Sequence, residues 1–286
     1  MILGPAGPVW GRPSVASSAS VPLRTSVSAA GAAYRAEGGS SPYFGVMAAS
    51  VAGVSHRLAA RCNEDAFAWH VLGEARLGLA VADGVSSAGR GGEGAELAVA
   101  AATHWLACHE GEDGDLCRGA VRSANERLLM ARAPQAGAAP ELCTTLTVAV
   151  AVRAPGGGWT ASLARVGDST AFALRSGGRW EELFACGAGD GTSTDAIPSA
   201  RADGVAVEVA PPVAMSSEEV LVLMTDGVAN PLRDGPSTVA PALGGLTGAA
   251  AAGALSPAEL LFHLDFSRRG SHDDRTVVMV WLPAAV

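Results

Sequence analysis

The chain has 286 residues, 49% hydrophobic and 17% charged, with 20 basic residues against 28 acidic ones and a net charge of -8. That balance argues against a general binder of nucleic acid or anionic membrane, either of which needs a basic face. Every basic residue is Arg, so chemistry built on a lysine, such as a Walker loop or a Schiff base, is excluded.

Residues 1–46 are mostly Ala, Gly, Ser, Pro and Val and lack a basic start followed by an apolar stretch. They predict a disordered low-complexity tail rather than a secretory signal. Met47 then opens MAASVAGVSH, which leads into patterned sequence, so Met47 is a candidate initiator and residues 47–286 the expected folded domain. Ala66 to His70 and Ala75 to Ala82 are apolar runs split by Gly73 and predict a hairpin ending at Asp83-Gly84. Glu93 to Cys108 and Asp115 to Ala131 place apolar residues at helical spacing and predict two helices.

Thr144 to Val152 alternates and is rich in β-branched residues, and Thr160 to Val166 should pair with it across the turn Pro155 to Gly158. Further strands are expected at Thr170 to Leu174, Arg179 to Phe184, Val205 to Val209 and Val220 to Met224. The segment Arg233 to Ser256, rich in Ala, Gly and Pro, reads as a loop or a weak helix. Pro257 to Phe266 predicts a helix with Ser256 as N-cap and Pro257 at its first position, and Thr276 to Trp281 a buried last strand. Mostly antiparallel strands with helices in sequence blocks predict an α+β fold of layered helix and sheet. No stretch approaches the roughly 20 apolar residues of a membrane span. The five cysteines form no CxxC pair, which points to a reducing cytoplasm and core thiols rather than disulfides or zinc.

The informative residues are acids that interrupt apolar runs. Glu64-Asp65 stand in RCNEDAF, Asp83 in LAVADGVSSAG, Asp226 in LVLMTDGVAN, and Asp273-Asp274 in SHDDRTVVMV. A single such acid is most simply a turn residue. Four acidic stations gathered at strand ends would repel unless a cation joins them, and oxygen-only ligands select Mg or Mn over Zn. The residues alone therefore read as a carboxylate-rich two-metal site suited to phosphoester chemistry.

RCNEDAF, VADGVSSAGRGGEGAELAV, CTTLTVAVAV, RVGDSTAFAL, LMTDGVAN and DDRTVVMV, in this order, resemble the successive motifs of protein phosphatase 2C, the metal-dependent PPM family of serine/threonine phosphatases. The likeness is to its compact bacterial branch and runs from about Gly53 to Trp281. It implies a four-layer α-β-β-α sandwich, two antiparallel sheets flanked by helices, with residues 47–286 as the catalytic domain. It also implies two Mn or Mg ions. Asp83 would bridge them, the Gly84 carbonyl, Asp226 and Asp273 would be further ligands, and Glu64 and Asp65 would serve the second site. A metal-bridging water would then attack phosphorus in a phosphorylated protein substrate.

Three departures from the family pattern stand out. The phosphate-gripping Arg expected four residues before Glu64 is Ala60, with Arg61 one residue late and Arg57 earlier. A general-acid His expected two residues after Asp83 is Val85, while His56 and His272 lie near motif residues. The acid for a third metal has no motif, although Asp190 and Asp195 fall in the right stretch. Asp168 and Thr144-Thr145 read as structural. The leading expectation is a metal-dependent serine/threonine phosphatase, with Asp83 and Arg61 as its catalytic residues. The alternative is a catalytically weak member serving as a regulatory module.

Overall fold

A computed structural model describes residues 22–26, 32–131, 142–184, 196–198, 204–234, 239–266, 268 and 270–283. Among the described residues, eleven strands are arranged in two antiparallel sheets. The first sheet runs β1 (Tyr34–Ser40), β2 (Gly45–Val51), β11 (Arg275–Trp281), β10 (Val220–Met224), β7 (Thr170–Arg175) and β8 (Arg179–Glu182). The second runs β3 (Asp65–Gly73), β4 (Arg76–Asp83), β5 (Leu146–Arg153), β6 (Trp159–Val166) and β9 (Glu208–Met215).

Three apolar clusters define four layers. Phe44, Phe67, Leu79, Trp159, Leu221 and Val278 fill the space between the sheets. On the outer face of the second sheet lie α2 (Gly91–Cys108) and α3 (Asp113–Ala131). Ala95, Ala98, Val99, Ala102 and Leu106 follow helical spacing along α2, and Leu116, Ala120, Ala124 and Leu128 do the same along α3. Their small side chains allow both helices to lie close against the sheet. The first sheet is covered by α4 (Asp226–Arg233), α5 (Val239–Ala251) and α6 (Pro257–Leu264), which bury Val228, Leu232, Leu243, Leu260 and Leu264. A short α1 (Val54–Leu58) follows β2. The expected α+β sandwich of two antiparallel sheets flanked by helices is the observed architecture.

The hairpin β3–β4, the helices α2 and α3, and the pairing of β5 with β6 follow the sequence pattern. Helix α6 begins as expected, with the Ser256 hydroxyl accepting from the Glu259 N–H and the Glu259 carboxylate accepting from the Ser256 N–H. The Ala-rich stretch after Arg233 forms a helix, α5, over Val239–Ala251.

Two expectations need correction. The domain does not begin at Met47. Residues 34–46 supply β1 and the start of β2, and all seven β2 residues are buried between β1 and β11. Further upstream, Ser26 bridges to Trp69, and the Trp69 indole donates to the Arg24 carbonyl. Composition misled here because Gly, Ala and Ser mark both flexible tails and crowded strand pairs. The ninth strand lies at Glu208–Met215, not at Val205 to Val209. Among the described residues it pairs only with β6, and that edge position tolerates Pro211 and Pro212, whose missing N–H groups would break a central ladder.

Candidate metal centre

The site lies where the carboxyl end of β4 and the start of β3 meet the ends of β10 and β11. Asp65 and Asp83 are direct cross-strand partners in the β3–β4 hairpin. Like charges in that position repel, so the register itself creates an electrostatic cost. Around them the backbone is fixed. The Thr144 hydroxyl and the Thr145 N–H donate to the Asp83 carbonyl, and the Asp83 N–H donates to the Thr145 hydroxyl at 3.1 Å. Thr144 and Thr145, read from sequence as a packed strand start, thus hold the backbone of the central acid.

Gly84 continues the strand with its N–H on the Glu64 carbonyl at 3.0 Å. A Cβ at Gly84 would lie 2.3 Å from the Gly91 carbonyl carbon and 2.7 Å from the Glu64 carbonyl oxygen, so no side chain fits between them. From the opposite sheet, β10 delivers Asp226 into the first turn of α4, where the helix dipole favours a carboxylate. Gly227 beside it is equally constrained, since a Cβ there would stand 1.9 Å from the Asp274 carbonyl oxygen. These glycines let backbones bearing acids approach more closely than any other residue would allow.

The electrostatics reflect that crowding. Burial first, then the charges of Asp65, Asp226, Asp273 and Asp168, push the Asp83 carboxyl well above the usual range. Asp65 is driven up by burial and by Asp274, and Asp226 is raised to about 6 by burial and by Asp168 and Asp273. A side-chain interaction with Asp83 offsets part of the rise at Asp226. Asp168, read from sequence as a turn residue, therefore sits beside the cluster and adds to its negative field.

Asp65 and Asp226 each retain a buried oxygen, Oδ1 in both, that no hydrogen-bond donor faces. The second Asp65 oxygen accepts from the Thr225 and Thr276 hydroxyls of the other sheet, at 2.8 and 2.7 Å. Buried, mutually repelling carboxylates with unsatisfied oxygens are a donor set that hard divalent cations complete, and the residues present fit Mn or Mg.

Glu64 and Arg61 stand slightly apart from this group. The Glu64 carboxylate accepts from the Arg61 guanidinium and, at 2.7 Å, from the Ser86 hydroxyl. Arg61 also donates to the Ser86 carbonyl and lines an open cleft of about 530 Å3 together with His56, Asp226, Asn230, Arg268 and Asp273. Arg57 points elsewhere, bonded to Tyr34 and Asp265. His272 is exposed on the cleft wall. Asp190 and Asp195 lie outside the described residues.

Sequence reasoning gave no role to Asp274. It is almost fully buried, at 1% exposure, while Asp273 is exposed. The Gly53 and Glu64 N–H groups donate to its two oxygens, both at 2.6 Å, and His56 Nδ1 lies 2.8 Å away. His56, Asp273 and Asp274 bring three ligand-type atoms within 4.8 Å of one another. Both Asp274 oxygens and both His56 nitrogens are already engaged within the protein. The doubled acid in SHDDRT was the available signal, but spacing alone could not tell which of the two points inward.

No helix among the described residues is long and apolar enough to cross a membrane. The four described cysteines, Cys62, Cys108, Cys117 and Cys143, are free thiols.

The family model for protein phosphatase 2C matches residues 52–254. Among solved structures, the catalytic domain of the serine/threonine protein phosphatase PstP, determined with two manganese ions, is 19% identical with a TM-score of 0.55, covering 84% of this chain and 99% of that one. A phosphatase from a pathogenic strain of Toxoplasma gondii is 14% identical with a TM-score of 0.60, covering 87% and 95%. The PP2C phosphatase domain of SpoIIE from Bacillus subtilis, solved with a fragment of its regulatory domain, is 15% identical with a TM-score of 0.55, covering 87% and 71%. At these identities the structural likeness is one of fold. No curated protein sequence matches the chain.

Proposed function

The chain belongs to the protein phosphatase 2C family, and from that membership we propose that it is a metal-dependent phosphatase acting on phosphoserine and phosphothreonine in proteins. The observation that carries the reading is the junction itself, where two sheets converge buried acids with unpartnered oxygens on an open cleft. Asp83, central to the cluster, would be the shared ligand of two Mn or Mg ions. Asp226, Asp273 and the Gly84 carbonyl would complete one side, and Glu64 and Asp65 would serve the other. Such ions lower the pKa of water and offset phosphate charge when bound.

The protein's own groups divide the remaining work. Arg61 sits at the cleft edge with a planar guanidinium fork suited to phosphate oxygens. The Thr144 and Thr145 contacts keep Asp83 in place, so that little reorganisation accompanies binding. Val85 stands where relatives carry a general-acid His, so protonation of the leaving oxygen falls to solvent in the open cleft. The free thiols fit a reducing cytoplasm as the place of action.

The test is hydrolysis of p-nitrophenyl phosphate and a phosphothreonine peptide by the full chain, with Mn and then with EDTA. Mn-dependent turnover abolished by chelation is the expected result. A folded protein that turns over neither would be a regulatory module instead.

A further inference from the structure

His56 takes no part in the proposed chemistry, yet it occupies the seam between the sheets. It is 4% exposed and lies in α1, immediately after β2 of the first sheet. Nδ1 faces both oxygens of Asp274, at 2.8 and 2.9 Å, and Asp274 directly precedes β11. On the other side of the ring, Nε2 lies 3.0 Å from the Ser86 hydroxyl, in the turn that follows β4 of the second sheet. Ser86 in turn donates to Glu64 at 2.7 Å. A continuous polar chain therefore runs from Asp274 through His56 and Ser86 to Glu64.

The same Asp274 carboxylate accepts from the Glu64 backbone N–H. Glu64 is thus gripped at its backbone by Asp274 and at its side chain through Ser86. We infer that His56 is a positioning residue for the metal centre: with Asp274 and Ser86 it ties the two sheets together and holds Glu64 and the turn after Gly84 at ligating distance before any cation arrives. This rests on the metal reading of the site given above. Partners that orient ligands in this way are commonly worth one to two orders of magnitude in metal affinity.

The experiment measures Mn binding by calorimetry on the full chain, with turnover at saturating Mn as a second readout. His56→Ala should weaken Mn binding about 10- to 100-fold, while kcat at saturating Mn stays within about threefold of wild type. His56→Asn places an amide donor where Nδ1 stood and should recover most of the Asp274 contact and much of the affinity. Ser86→Ala alters an exposed turn and should weaken Mn binding by a smaller factor.

Unchanged Mn affinity in both His56→Ala and Ser86→Ala would overturn the inference. So would a collapse of kcat at saturating Mn with affinity intact, which would make His56 a catalytic group. Wild-type protein that fails to bind Mn rejects the metal reading and this inference with it. Wild-type protein that binds Mn but hydrolyses neither substrate rejects the phosphatase reading alone, and His56→Ala still decides the positioning role.

Discussion

The two sheets contribute comparably to the carboxylate cluster but support it in different ways. In the second sheet, Asp65 and Asp83 sit opposite each other on one hairpin, braced by β5 and backed by α2 and α3, whose inward faces are continuous small apolar residues. In the first sheet, Asp226 opens a helix of eight residues that contains Pro231, and Asp273 lies in an exposed segment before β11. Its cover includes α5, where only Leu243, Thr247 and Ala250 of thirteen residues are buried. Most of the cleft wall, including Asn230, Asp234, Arg268 and Ser271, also belongs to this lighter, first-sheet side. The arrangement separates tasks: one half holds its acids on a braced hairpin, and the other can vary its loops around the cleft without disturbing the core.

The most severe way to break that comparison is to shorten the lighter side. A chain starting at Met47 lacks β1, the first two residues of β2 and the buried Phe44. Losing one large buried aromatic costs about 3–5 kcal/mol, a substantial share of the roughly 5–15 kcal/mol that stabilises a domain. With β1 gone as well, residues 47–286 should fail to give a cooperative thermal transition by circular dichroism, whereas the full chain should give one.

Next in size is Asp83→Asn. Removing the shared charge should lower Mn-dependent turnover by about 10³-fold or more, on the order of 4 kcal/mol. The metal-free protein should respond in the opposite sense. Asp83 is raised by burial and by four neighbouring acids, so neutralising it relieves repulsion and should raise Tm in EDTA. A variant that kept normal turnover would remove Asp83 from the centre of the site.

The contrast between the helical layers can be sharpened with one leucine from each. Leu128 in α3 is fully buried, and Leu128→Ala should cost about 2–5 kcal/mol in urea unfolding. Leu246 in α5 is only partly buried, and Leu246→Ala should cost about 1 kcal/mol. Equal costs would show that the two layers are packed alike.

That same asymmetry governs how much was legible in the sequence. The β5–β6 hairpin announces itself through strict alternation around Pro155 to Gly158, and α2 and α3 through their apolar spacing. Asp83 and Asp226 stood out because each ends an apolar run. By contrast, β1 and β2 were hidden because small residues serve crowded strands as well as loose tails, and β9 was displaced because paired prolines argue against a strand until its edge position is known. Thr276 looked like an ordinary strand former and Thr225 lay just past a strand, although their hydroxyls hold Asp65 from across the sandwich. The pairing of Asp274 with His56 was hidden for a related reason: they lie 218 residues apart, and only the fold brings them together.

The smallest expected effect concerns Asp226, the acid supplied by the lighter side, whose carboxyl is raised to about 6. A ligand must release its proton before it binds a cation, so protons and Mn compete. Between pH 7 and pH 5 the ionised fraction of a group with that pKa falls about tenfold, so Mn affinity should weaken by at least this factor, about 1.4 kcal/mol. Asp65 and Asp83, also raised, should steepen the decline. In the metal-free protein the sign is fixed by linkage. The native state holds Asp226 protonated at pH values where the unfolded chain, near the ordinary carboxylate pKa, has already lost that proton. Stability in EDTA should therefore fall as pH rises from about 4 to 6, and saturating Mn should restore it above 6. Mn affinity that stays level between pH 5 and 7 would place Asp226 outside the ligand set.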